Sequence, residues 1–443
     1  MSLVSGIKKK LTGSEGQAQM LKGATQSAVM RVAGLIVAYI FAFVVARSLG
    51  PSAWGEFSLA FSVLAFGAVL GIIGLDNTLL KLISGSKSIS NTSYLYSKGL
   101  ILVIGVSILS TLLIYYFSDW IAATMFDKPS LANIFRISSS AILPFALVKL
   151  NASVLQGLKK VVKYVFLKFM AQYLFGIIIL VFFLQLNKIS HVVITSYIIG
   201  VYLIAVLSFY WVFKEKIYVT FTTIKSNAAT FTAILSISIP LLFAGLMLFI
   251  NSWIDTIMVG IFLEKADVGI YNIALKISGL LTIVIMSVNV VVAPVFAESY
   301  ADGNFKKLQN AVLYSTKVIF VLTIPIFLLI ILFPELILGI FGKEFIAGRN
   351  TLIILCIGYL FSAFSGSVAY ILQMTGSQVA FLNITVASAV LGIVLNFLLI
   401  PKFGITGAAI ATSTSMILWN SACVIFINFK YNIKTYFRLV SNP

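Results

Sequence analysis

Charged side chains standing inside long apolar stretches are the residues best placed to do chemistry in this chain. Six cations do so: Arg31, Arg136, Lys149, Lys168, Lys276 and Lys317. At the centre of a bilayer each costs roughly 2.5–3.5 kcal/mol, so an intramembrane charge needs a partner, an aqueous cavity or a route to the interface. Arg31, Arg136 and Lys168 lie about one turn from the end of an apolar stretch, where a long side chain reaches the headgroups. Lys149, Lys276 and Lys317 lie deeper and are expected to face a cavity. Arg31, Lys149, Lys168, Lys276 and Lys317 are thus the candidate lining of a cationic cavity, which suits an anionic substrate such as a phosphate or diphosphate. Two acids accompany them. Asp76 closes the second apolar stretch in Gly74-Leu75-Asp76-Asn77, and Asp255 lies within the seventh. Asp255 and Lys276 share a depth and are expected either to neutralise each other or to leave Asp255 free to exchange a proton or Na⁺.

Other reactive groups are sparse. His191 is the single histidine and sits near the start of a stretch, a headgroup-level position. Cys356 and Cys423 both fall inside apolar stretches and read as small buried side chains, with neither a disulfide nor a metal. No phosphate-cradling Gly-Lys-Ser/Thr loop or paired carboxylate occurs, so ATP hydrolysis within this chain is excluded as a power source. No organic cofactor is implied; H⁺ or Na⁺ is the expected coupling ion.

The elements that position these charges follow from composition. Of 443 residues 60% are hydrophobic and 10% charged, and the mean hydropathy is +1.08. A soluble chain carries about a quarter charged residues. The apolar blocks run to about 20 residues, the helix length that crosses a bilayer core of ~30 Å. In lipid every backbone polar group must be paired internally, and continuous rather than alternating apolar runs select helices over a barrel. Twelve spans are expected, near 25–47, 54–76, 95–118, 132–156, 164–186 and 191–213, then 231–262, 269–297, 311–333, 346–373, 379–400 and 405–428. The first block has no small-residue cleavage site and reads as a retained helix. Lys and Arg outnumber Asp and Glu by 31 to 13, giving a net charge of +18, and 18 loop cations lie on one side against 7 on the other. The positive-inside rule places both termini in the cytoplasm. No soluble module presents the positive charge to nucleic acid.

The chain also repeats itself at one constant offset: Gly55 meets Gly269, Phe57 meets Tyr271 and Ala60 meets Ala274, and Phe182–Lys188 overlays Asn396–Lys402. The expected fold is therefore all-α and polytopic, with about twelve transmembrane helices in two six-helix lobes related by an axis along the membrane normal. A cytoplasmic N-terminal segment (1–24), a lobe over 25–213, a cytoplasmic linker (214–230), a second lobe over 231–428 and a cytoplasmic tail (429–443) complete it. Pro144, Pro240, Pro294 and Pro325, with Gly67, Gly71 and Gly74, are expected to bend the spans.

Three stretches carry a family resemblance: Leu395 to Thr412 with its Pro401-Lys402-Phe403-Gly404 core, Leu49-Gly50-Pro51 followed by Trp54-Gly55-Glu56-Phe57, and Gly71-Ile72-Ile73-Gly74-Leu75-Asp76. The chain resembles the multidrug/oligosaccharidyl-lipid/polysaccharide exporter superfamily, and within it the Wzx-type O-antigen flippases. That resemblance implies a bacterial inner-membrane flippase for undecaprenyl-diphosphate-linked oligosaccharide. It also implies alternating access, no ATP use, proton or sodium coupling in some members, and polysaccharide polymerase and chain-length proteins as partners. By position Asp76 matches the Gly-Leu-Asp motif and Asp255 the acid of the seventh helix. Twelve spans rather than fourteen set the chain apart from the peptidoglycan-precursor flippases. The competing reading is a drug or cation antiporter of the same superfamily, which would prefer acids at membrane depth. A membrane glycosyltransferase or polymerase would need a sizeable loop, which is missing, and a passive scaffold does not explain the interior charges.

Overall fold

The structure is a computed structural model that describes residues 15–86, 88–186, 191–220 and 231–437. Of the loop cations counted for topology, Lys8, Lys9, Lys10, Lys87, Lys188, Lys225 and Arg438 lie outside the described residues, as do linker residues 221–230. The described residues are helical and contain no strand. The helices are α1 (Glu15–Ile72), α2 (Leu75–Ser84), α3 (Ile89–Trp120), α4 (Ala132–Ser139), α5 (Ile142–Gly157), α6 (Val161–Val165), α7 (Ala171–Leu186) and α8 (Val192–Lys214). The second half contributes α9 (Phe231–Phe262), α10 (Lys265–Gly279), α11 (Thr282–Ala301), α12 (Phe305–Leu332), α13 (Pro334–Phe341), α14 (Arg349–Ser365), α15 (Val368–Met374) and α16 (Gln378–Tyr431).

Nine helical stretches among the described residues are long and apolar enough to cross a membrane, and the bent pair Pro129–Ser139 and Ile142–Gly157 (43°) makes a tenth. Two of the nine are double. Helix α1 folds back at Gly50 (φ 78°, ψ −178°), next to Pro51, and α16 at Gly404 (φ 59°, ψ −141°), three residues after Pro401. Such dihedrals are open to glycine and strained for other residues. Counting each of these as two spans gives the twelve expected. The chain is a multi-pass membrane protein.

The spans are more broken than their hydropathy implies. Asp76 does not close the second span. The chain leaves α1 after Ile72, passes through Ile73 (φ 47°) and Gly74 (φ 73°), and restarts as α2 with Asp76 in its first turn. Gly74 is required twice over, since a Cβ there would also lie 2.4 Å from Ser238 O and 2.7 Å from Leu242 N. Spans 4, 8 and 10 are likewise interrupted, between α4 and α5, α10 and α11, and α14 and α15. Pro240, Pro294 and Pro325 lie inside helices, and Pro144 sits in the first turn of α5. A turn of π-helix continues α3 (Ile121–Met125), and another joins α6 to α7 (Phe166–Met170).

The helices form two compact units. One comprises residues 1–44 and 60–249, the other residues 45–59 and 250–443. The first is built on a core that includes Leu75, Leu79, Val103, Leu150, Val154, Leu155 and Val165. Its centre also holds a polar chain. Tyr96 Oη donates to Asn151 Oδ1 (2.9 Å), and Asn151 Nδ2 donates to Ser208 Oγ (2.8 Å). Each group is satisfied, as burial away from water demands.

In the second unit the N-terminal turns of α10 cross the residues just after Gly50. A Cβ on Gly55 would lie 1.7 Å from Lys265 O, and one on Gly269 would lie 2.0 Å from Pro51 O. Pro51 and Lys265 are separated by the repeat offset, as are Gly55 and Gly269. The crossing is thus reciprocal, each segment placing its glycine on the other's carbonyl. Two backbones approach this closely only where side chains are missing.

The ends of α8 and α16 repeat one device. Each helix stops at a left-handed residue, Lys216 (φ 61°) just past α8 and Asn432 (φ 53°) just past α16. A buried isoleucine follows, Ile217 or Ile433. The next backbone N–H then bonds to a side chain: Tyr218 N to Ser93 Oγ (3.4 Å), Lys434 N to Gln309 Oε1 (2.7 Å). All four pairs of counterparts share an offset of 216 residues, two more than the 214 between Gly55 and Gly269.

Candidate functional site

The first unit gathers three of the five candidate cations. Arg31 on α1 places its guanidinium carbon 5.3 Å from the centre of the Phe169 ring. Lys168, in the π turn, lies 5.7 Å from the same ring and 5.3 Å from that of Tyr164, whose hydroxyl accepts a hydrogen bond from its ammonium (3.1 Å). Lys149 on α5 lies over Phe145 at 5.0 Å, and its charged neighbours are Asp76 and Lys168. Asp76 therefore belongs with the cations rather than at a remote span end. Aromatic faces offset part of the cost of these charges, by about 0.5–2 kcal/mol each. Arg136 stands apart in an ion pair with Asp119, which explains its position without a ligand.

The second unit holds the other candidates differently. Lys276 lies 5.7 Å from the Trp54 ring, and Lys317 is exposed on α12, in no ion pair with any described residue. The expected pairing of Asp255 with Lys276 is not what the structure builds. The Asp255 carboxylate accepts Asn396 Nδ2 (2.7 Å) and Thr412 Oγ1 (2.9 Å), and the Tyr271 hydroxyl lies 3.0 Å from Thr412 Oγ1. Neutral donors take the place of the ammonium because the two arms of α16, before and after Gly404, bring them to this turn of α9.

This constellation has spare acceptor capacity. Asn396 is fully buried, and its Oδ1 has no hydrogen-bond partner among the described residues. One carboxylate, one amide oxygen and two hydroxyls form an all-oxygen set carrying a single negative charge. Such a set fits a hard monovalent cation or a proton far better than a transition metal. Among the described residues no cluster of three or more His, Cys, Asp or Glu exists to hold a metal. Residue typing finds Asp255 but misses Asn396, Thr412 and Tyr271. A signal for the first of these is present in the stretch Leu395 to Thr412, where an amide interrupts an apolar run.

A twelve-span helical membrane protein with a cluster of cations in one unit and a half-buried carboxylate in the other is thereby defined. Residues 20–300 match the family model described as polysaccharide biosynthesis protein, and residues 240–398 match the MatE model. The chain belongs to the polysaccharide biosynthesis protein family, within the multidrug/oligosaccharidyl-lipid/polysaccharide exporter superfamily. It is similar to the probable low-salt glycan biosynthesis flippase Agl15 of Haloferax volcanii, 31% identical over 165 residues, covering 37% of this chain and 35% of that protein. The capsular polysaccharide biosynthesis protein CapF of Staphylococcus aureus is 28% identical over 197 residues, 43% of this chain and 48% of that protein. The chain thus spans between a third and a half of the length of these curated relatives. Among solved structures the fold is shared with the lipid II flippase MurJ in an inward closed conformation. There the TM-score is 0.74 at 18% identity, over 92% of this chain and 87% of that one. A multidrug resistance MATE family transporter in an inward-facing conformation gives 0.74 at 16% identity, over 91% and 98%.

Proposed function

We propose that this protein is a flippase that moves a lipid-linked oligosaccharide, anchored through a phosphate or diphosphate, across the cytoplasmic membrane by alternating access. The observation that carries the reading is the cluster of Arg31, Lys149 and Lys168, three cations at membrane depth with a single acid, Asp76, recorded beside them among the described residues. A net positive site inside the bilayer is costly without an anionic ligand and attractive to one. The relatives named as glycan flippases support the same substrate class. Undecaprenyl diphosphate as carrier, an O-antigen-type repeat as cargo, both termini in the cytoplasm, and polymerase and chain-length proteins as partners belong to this reading.

The Asp255 centre supplies the coupling step. In this mechanism Asp255, Asn396, Thr412 and Tyr271 take up H⁺ or Na⁺ in one conformation and release it in the other. A ligand shifts a conformational equilibrium only by its differential affinity for the two states. Binding at this carboxylate provides that difference. A drug or cation antiporter is the second reading, favoured by this acid and by the MatE match over residues 240–398.

Deleting the gene and locating the lipid-linked oligosaccharide separates the two. Accumulation on the cytoplasmic leaflet with loss of surface glycan is the expected result. Unchanged surface glycan with altered drug tolerance would replace the flippase by the antiporter.

A further inference from the structure

The cationic cluster of the first unit is built on an irregular turn. At Phe166–Met170 the backbone winds as π-helix, with Ala171 N–H bonding back five residues to Phe166 O. Single π turns insert one residue into a helix, rotate what precedes it, and recur where a side chain must be aimed. Lys168 and Phe169 are two of its five residues.

The turn is accommodated by one glycine. A Cβ on Gly34 would lie 2.8 Å from Phe169 O and 3.0 Å from Phe169 Cβ. Gly34 is three residues after Arg31, so both lie on one face of α1. The absent side chain is what lets the face bearing Arg31 close on Phe169. The consequence is two like charges sharing one ring, with Arg31 at 5.3 Å and Lys168 at 5.7 Å from its centre. Neither forms an ion pair with an acid among the described residues. The second half lacks the device: at the repeat offset Gly34 is replaced by Leu248, and residues 380–384 lie within the regular helix α16. Only the half that carries the cation cluster has the bulge and its glycine.

We infer that Gly34 and the π turn Phe166–Met170 are positioning elements that hold Arg31 and Lys168 against the one ring of Phe169, so that a phosphate or diphosphate ester is bound by both cations. This rests on the flippase reading and adds which two cations form the anion pair and what fixes their separation.

The test uses the full chain in nanodiscs, titrated with inorganic pyrophosphate, with thermal midpoints recorded for every variant. Gly34→Ala is expected to weaken pyrophosphate binding about tenfold by moving Phe169. Gly105→Ala, where a Cβ meets nothing within 4 Å, should leave it unchanged. Phe169→Leu keeps the bulk and removes the ring, and it carries the same expectation if Gly34→Ala lowers the midpoint. Binding within twofold of the unaltered protein in both folded variants would overturn the positioning role. The double variant Arg31→Gln/Lys168→Gln separates this from the reading beneath it. If the double variant loses binding while Gly34→Ala and Phe169→Leu keep it, the anion site stands and the positioning falls. If the double variant also keeps full binding, the anion pair itself is rejected.

Discussion

The two halves of the chain share a scaffold and differ in what they bury at equivalent places. Asp255 and Tyr271 have Phe41 and Phe57 as counterparts at the repeat offset. Phe41 sits in an aromatic group with Tyr173 and Tyr197, at ring separations of 5.9 and 6.2 Å. Conversely, Tyr96 and Ser208 have Val312 and Val424 at the offset shared by the ends of α8 and α16, both in or against an apolar core. The carboxylate centre therefore belongs to the second half and the cation cluster with its polar chain to the first. Divergence at a few positions leaves a carboxylate held by neutral donors in one half and a group of cations in the other.

Removing the acid should break this division most severely. Asp255→Asn leaves the surrounding donors with a weak acceptor and no charge to titrate. Export in proteoliposomes is expected to lose its dependence on the ion gradient and to fall about a hundredfold. Retention of full gradient sensitivity would show that coupling lies elsewhere. Next in size is the triple variant Arg31→Gln/Lys149→Gln/Lys168→Gln. Each charge-assisted contact to a phosphate contributes about 1.5–3 kcal/mol, so export should drop about thirtyfold or more. Lys317→Gln, in the other unit and in no ion pair with a described residue, should cost less. An equal loss from that single change would dissolve the contrast between the halves.

Packing tests are smaller. Gly269→Ala sets a Cβ on Pro51 O, and because that neighbour is backbone it cannot swing aside. A loss of about 1–3 kcal/mol is expected in thermal unfolding, with Gly55→Ala matching it if the crossing is as reciprocal as its geometry. Asn151→Ala strips Tyr96 Oη of its acceptor and Ser208 Oγ of one donor, and should cost about 0.6–2 kcal/mol, the range for hydrogen bonds between membrane helices. Val368→Ala, in the apolar core of the second half, removes only contact area. Val368→Ser, which sets an unpartnered hydroxyl in the apolar core, is expected to be the worse of those two.

How much of this is legible in the residues alone depends on the length scale of the signal. Bilayer thickness dictates blocks of about 20 apolar residues, so the number of spans can be read directly. The breaks at Ile73–Gly74 and the π turns cannot, because the residues flanking them, Ile72 or Phe166 to Met170, have the same hydropathy whether the helix continues or bulges. Hydropathy accordingly ends a span at Asp76, whereas Asp76 opens a helix. The acid Asp255 is visible as a charge in an apolar run. Its partners Asn396 and Thr412 stand 141 and 157 residues away, and only the folded chain says which helix faces it. Depth alone makes Lys276 the partner, and depth does not say which side of a helix a residue faces.

The smallest expected effect concerns the two helix ends, where the halves differ in charge but not in form. Lys160 Nζ meets Glu215 Oε2 at 2.9 Å and Lys163 Nζ meets Oε1 at 2.6 Å. At the matching place Tyr431 Oη lies 2.7 Å from Ser377 Oγ, which also accepts from Lys430 Nζ (2.8 Å), and no carboxylate takes part. The Lys163 hydrogen bond, with Lys160 beside it, holds the Glu215 carboxyl below the usual carboxylate range. A depressed folded-state pKa means that the stabilisation is present above the unfolded value of about 4.3 and is lost as pH falls through the folded one. With Lys160 nearly half exposed, salt and solvent limit the contribution to about 1 kcal/mol or less. Acidification from neutral pH should therefore loosen the end of α8 before that of α16, read as hydrogen exchange at the amides of Ile217 and Ile433. Glu215→Gln should abolish this difference in pH response. Equal acid sensitivity at both amides in the unaltered protein would mean that the ion pair plays no part in holding the end of α8.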